Sequence, residues 1–98
     1  MLYKKHKYPY GFLAIEVAVK LQEYFDPDNK TPKPYEYASE ALEVVDVIVR
    51  KKIDNPSGIK NQLAKTLSVI FDSDYEPDEF EDIANLMSDR LESIQAYI

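Results

Sequence analysis

Apolar residues recur along most of this chain at the three- and four-residue spacing of an amphipathic helix. The first row spans about residues 12–25 and comprises Leu13, Ala14, Val17, Ala18, Leu21, Tyr24 and Phe25. Alternation of Leu13, Ile15, Val17, Val19 and Leu21 also allows a strand. The length of the row, its Ala, Glu, Lys and Gln content and the Asp26-Pro27 stop favour a helix.

Three further rows predict three more helices. The second helix begins near Pro34 or Tyr35, and its buried stripe is Ala38, Leu42, Val45, Val49 and Ile53, with Ala41 and Ile48 alongside. The third follows the turn at residues 55–58 and buries Ile59, Leu63, Leu67, Ile70 and Phe71. The fourth starts at Pro77 and buries Phe80, Ile83, Ala84, Met87, Leu91, Ile94 and Ile98. We therefore predict an all-α, single-domain bundle of about four antiparallel or orthogonally packed helices.

Length and composition fit one domain covering residues 1–98, in which residues 1–10 form a basic, aromatic N-terminal arm. The chain has no cysteine, which rules out disulfides and suits the cytoplasm. The longest apolar run, residues 11–19, is interrupted by Glu16 and is too short to cross a bilayer. The run also lacks the pattern of a signal peptide, because no small-residue cleavage site follows it.

Charge is distributed unevenly along the chain. Residues 1–71 carry nine acids and eleven bases, whereas residues 72–98 carry nine acids and one base. Seven of those nine acids fall within residues 72–82. Such a segment repels nucleic acid and attracts basic partners, so we expect no direct nucleic-acid binding. The alternative is that the carboxylates gather at a helix N-terminus because the helix dipole favours them there.

No residue pattern indicates catalysis or a bound cofactor. Asp72, Asp74 and Glu76 have the spacing that opens a calcium loop, but Pro77 and Ile83 occupy the positions where that loop needs Gly and Glu. His6, the only histidine, lies in the basic arm without a partner acid. We therefore expect no metal site, no cofactor and no enzymatic activity.

Tyrosine is unusually frequent, with eight residues, and most of them fall at the predicted helix ends. There they can close the bundle with their rings while their hydroxyls stay in water, or they can serve as anchors in an interface. Tyr75 lies inside the acidic segment. An aromatic ring surrounded by carboxylates is typical of a surface that binds a basic, partly apolar partner.

These features favour an acidic helical protein-binding module, and the sharpest hypothesis is an inhibitor or immunity-type protein. Its partner would be a basic protein, such as a nuclease or toxin. The predicted partner-binding residues are Asp74, Tyr75, Glu76, Asp78, Glu79 and Asp82, with the carboxylates imitating phosphate charge and Tyr75 acting as the anchor.

Two other classes of function stay open. One is a structural or accessory subunit, a homodimer for example, whose Tyr-rich helix ends pack against a second copy. The other is an adaptor for membrane surfaces or nucleic acid that uses the lysines of the arm and residues 50–52. The net charge of −6 argues against the adaptor, so we expect no membrane partner.

Overall fold

The computed structural model describes residues 10–27 and 36–97, and within them it contains four α-helices and no strand. The helices are α1 (Gly11–Phe25), α2 (Ala38–Arg50), α3 (Pro56–Ile70) and α4 (Glu81–Tyr97). A 3₁₀ turn at Pro77–Phe80 leads directly into α4. The predicted all-α fold is confirmed, and the alternative of a strand at the first apolar row is wrong.

All four helices, together with the 3₁₀ turn, contribute to one apolar core. No polar or charged residue is buried in the described part of the chain. The buried residues are Leu13, Ala14, Val17, Ala18, Leu21, Ala41, Val44, Val45, Ile48, Ile59, Leu63, Ala64, Leu67, Phe80, Ile83, Ala84, Met87 and Leu91. Burial of these side chains is the main stabilising contribution, at roughly 1.5–3 kcal/mol for each large one.

The buried face of α2 differs from the predicted stripe. The structure buries Ala41, Val44, Val45 and Ile48, whereas Leu42 is exposed. Apolar residues lie on several sides of this helix, so their spacing alone does not select one face. In α1, α3 and the start of α4 the predicted faces are confirmed, apart from Tyr24, Phe25, Ile70 and Phe71, which are only partly covered. Phe12, Ile15, Val19 and Val69 are exposed apolar residues outside those faces.

Several sequence predictions concern residues outside the described ranges. These are residues 1–9 of the arm with His6, residues 28–34 of the first loop, the helix start at Pro34 or Tyr35, and Ile98. Glu36 and Tyr37 form a turn, so the described helix starts only at Ala38. Tyr10 packs against the core, and its carbonyl oxygen accepts a hydrogen bond from the Ala14 N–H at 3.0 Å, so it belongs to the bundle rather than to the arm.

Six aromatic rings bring four helix termini together at one end of the bundle. Phe25, the last residue of α1, stacks on Tyr37 just before α2, with ring centroids 5.7 Å apart. The same ring lies 5.2 Å from Phe71 at the end of α3 and 5.5 Å from Tyr75 ahead of α4. We call Tyr24, Phe25, Tyr37, Phe71, Tyr75 and Phe80 the aromatic end. Because ends of α1 and α3 meet starts of α2 and α4, successive helices reverse direction.

At the opposite end of the bundle, where α2 turns into α3, backbone and capping interactions add to the packing of Ile53 against the core. Asn55 caps α3, because its Oδ1 accepts a hydrogen bond from the Gly58 N–H at 2.7 Å, and Pro56 occupies the first helical position. The Ser88 hydroxyl of α4 donates to the Asp54 carbonyl oxygen at 3.2 Å. This bond ties the α2–α3 turn to α4.

Candidate protein-binding surface

The predicted partner-binding residues lie on the segment that leads from the end of α3 into the first turn of α4, which we call the acidic edge (residues 72–82). Its entry is fixed by the end of α3, where the Ser73 N–H donates to the Ser68 carbonyl oxygen at 2.9 Å. The Ser68 hydroxyl then accepts a hydrogen bond from the Tyr75 N–H at 3.0 Å. Both contacts anchor the acidic edge to the last turn of α3.

The side chain of Tyr75 is half-buried and packs against the core. Its ring centroid lies 5.5 Å from that of Phe25 and 5.7 Å from that of Phe80, both in edge-on geometry. Such ring pairs add roughly 0.5–1.5 kcal/mol beyond area burial. The ring therefore helps to close the aromatic end, and only its remaining exposed part is open to a partner.

Glu79 joins the acidic edge to α1 and also caps its own turn. The Tyr24 hydroxyl donates to Glu79 Oε1, and the Glu76 N–H donates to Glu79 Oε2 at 2.7 Å. The hydrogen bond to the carboxylate is the main reason that the pKa of Tyr24 is raised to about 12. The two donated hydrogen bonds, that of Tyr24 first, lower the pKa of Glu79.

Asp78 is paired with a lysine from α3. Lys60 Nζ lies 2.7 Å from Asp78 Oδ1 and 3.3 Å from Glu81 Oε1, so one cation bridges two carboxylates of the acidic edge. Hydrogen bonds to Asp78 and then Glu81 raise the pKa of Lys60. The lysine stem is largely covered while both carboxylates are exposed, which places the cation beneath the acidic edge.

Asp74, Glu76 and Asp82 are exposed, and none of the three forms an ion pair within residues 10–27 and 36–97. The structure thus separates the six predicted residues into two groups. Tyr75, Asp78 and Glu79 contact the rest of the bundle, whereas Asp74 and Asp82 extend into solvent. Glu76 is also exposed, and its side chain caps the 3₁₀ turn by accepting from the Glu79 N–H.

Three residues that hold this surface, Ser68, Tyr24 and Lys60, are absent from the sequence-based prediction, and two of them act over long separations. Tyr24 lies 55 positions from Glu79, and Lys60 lies 18 positions from Asp78. Spacing along a helix cannot reveal contacts over such separations. A usable signal was the position of Tyr24 at the end of an apolar row, because the end of α1 must meet the start of a neighbouring helix in an up-and-down bundle.

The described residues meet neither the requirements of a metal site nor those of a membrane-spanning helix. Among them, no cluster of three or more His, Cys, Asp or Glu side chains has the geometry to hold a metal ion. None of the described helices combines the length and apolar character that a bilayer span requires. The chain matches no family model, no curated protein and no solved structure.

Proposed function

We propose that this chain is a non-catalytic, acidic protein-binding module, of the inhibitor or immunity type, that neutralises a basic protein partner in the cytoplasm. Its binding surface is the acidic edge. Asp74, Glu76 and Asp82 supply the charge that contacts the partner, and the exposed part of Tyr75 supplies an apolar contact.

The observation that supports this proposal is that side chains of α1 and α3 fix the acidic edge to the bundle. Ser68, Tyr24 and Lys60 come from α1 and α3, and each one binds a different part of the edge. A charged surface fixed in advance loses little conformational entropy when it binds. Carboxylates placed at a helix start only for the dipole would need none of these three contacts.

Charge on such a surface acts mainly on the rate of association. Complementary potentials steer a basic protein toward the acidic edge and raise the association rate by about 10- to 1,000-fold at low salt. Because nucleic-acid-processing proteins carry basic surfaces that bind phosphates, a row of exposed carboxylates on a fixed backbone segment can compete for the same surface. The proposed partner class follows from this chemistry.

A charge-neutralisation experiment tests the proposal. The triple variant Asp74→Asn, Glu76→Gln, Asp82→Asn removes three exposed charges and leaves the contacts of Asp78, Glu79 and the Tyr75 ring in place. The wild type and the variant are immobilised, native lysate is passed over each at low salt, and retained proteins are quantified by mass spectrometry. We expect a stoichiometric basic protein on the wild type, released by salt, and at least tenfold less of it on the variant.

The matched control is Glu43→Gln, Asp89→Asn, Glu92→Gln, which removes three exposed carboxylates elsewhere. It should retain the partner as the wild type does. Once the partner is purified, its association rate with the triple variant should fall by roughly 10-fold or more at low salt, with a smaller change in the dissociation rate. Equal retention by all three proteins, or retention of no basic protein by any of them, would contradict the proposal.

A further inference from the structure

We draw no further inference here: the strongest candidate, the open apolar cleft beside the α2–α3 turn that is lined by Tyr10, Ile53 and Leu91, directly adjoins the part of the chain before Tyr10 that lies outside the described residues, and nothing in the structure shows what covers it.

Discussion

Helices α2 and α3 end with the same backbone motif at opposite ends of the bundle. Lys52 follows α2 with φ 57°, and Asp72 follows α3 with φ 51°. In each case the next N–H donates back across the last turn: Ile53 to the Ile48 carbonyl oxygen at 3.1 Å, and Ser73 to the Ser68 carbonyl oxygen at 2.9 Å. Both are Schellman motifs with a residue other than glycine in the left-handed position.

The side chains that follow these two motifs differ. At the opposite end Ile53 packs against the core, and Asn55 begins the next helix two residues later. At the aromatic end the corresponding residue is Ser73, which cannot close an apolar surface. Rings do so instead, with Phe71, Tyr75 and Phe80 packed around Phe25.

This difference helps to explain why the carboxylates gather at the aromatic end, whereas the opposite end carries the basic residues Arg50, Lys51 and Lys52. A short turn closed by one isoleucine leaves room for few residues between helices. The rings of the aromatic end cover the core over a wider area. The segment that lies over these rings can therefore be long and strongly acidic without burying carboxylates in the core. The acidic edge is thus supported by apolar packing, and mutations in that packing should have the largest effects.

Phe80→Ala should have the largest effect on stability. Phe80 is fully buried and contacts the rings of Tyr24, Phe25 and Tyr75, so its removal leaves a cavity and should cost about 3–5 kcal/mol in free energy of unfolding. Urea unfolding followed by circular dichroism measures the loss. Ile53→Ala at the opposite end should cost about half as much, because Ile53 is only partly buried.

Val69→Ala is the control for both, since Val69 is 78% exposed, and it should change stability by no more than about 0.5 kcal/mol. If Ile53→Ala costs as much as Phe80→Ala, the rings are not what distinguishes the two ends.

The hydrogen bond between Tyr24 and Glu79 should appear in the titration of both groups. The pKa of Tyr24 is about 12 in the fold against an ordinary value of 10.0. Its contribution to stability is therefore complete below about pH 10 and is lost as the pH rises toward 12. The pKa of Glu79 is lowered, so its contribution is present above the ordinary value of 4.5 and is lost as the pH falls through the lowered pKa.

NMR titration of the Glu79 carboxyl carbon and the Tyr24 phenolic carbon measures both values. In Tyr24→Phe the pKa of Glu79 should move up toward 4.5, and in Glu79→Gln the pKa of Tyr24 should move down toward 10.0. Glu81→Gln is the control, because it removes a nearby charge without this hydrogen bond. Unchanged values in Tyr24→Phe and Glu79→Gln would contradict the contact.

Gly58→Ala should destabilise the opposite end, contrary to the usual gain from replacing glycine in a helix. A Cβ atom on Gly58 would lie 2.8 Å from Ile53 Cγ2 and 3.2 Å from Asn55 Oδ1. The isoleucine would have to move, and the Asn55 cap with it, at a cost of about 1–2 kcal/mol. Thermal unfolding measures this cost. In the background of Ile53→Ala the same change should cost clearly less, whereas an equal cost in both backgrounds would rule out the predicted clash.

The sequence predicts much of the fold, because α1, α3 and α4 each carry an apolar row at helical spacing that matches the buried face, although Phe12, Ile15 and Val19 lie outside that row on α1. The rotation of α2 could not be predicted in this way. Val44, Val45, Val47, Ile48 and Val49 offer several apolar faces, and only packing against α1 and α3 decides between them. The acidic edge was visible as a charge cluster. Its support by Tyr24 and Lys60 was not, since these contacts depend on which helix ends meet.

Lys52→Gly and Asp72→Gly should give the smallest effects, and they compare the two motifs directly. A side chain in the left-handed region costs about 1–2 kcal/mol, but Asp tolerates it better than Lys. Glycine removes that strain and adds entropy to the unfolded chain, so the net gain should be about 1 kcal/mol at Lys52 and about 0.5 kcal/mol at Asp72. Urea midpoints of the two variants measure the difference.

Matched alanine variants separate backbone strain from the loss of a side-chain contact. Lys52→Ala and Asp72→Ala remove the same charges but keep the β-carbon, so neither should be stabilised as the glycine variants are. If Asp72→Gly instead lowers stability, the Asp72 side chain itself must support the acidic edge. The two ends of the bundle would then differ in the helix-ending motif as well as in the residues that follow it.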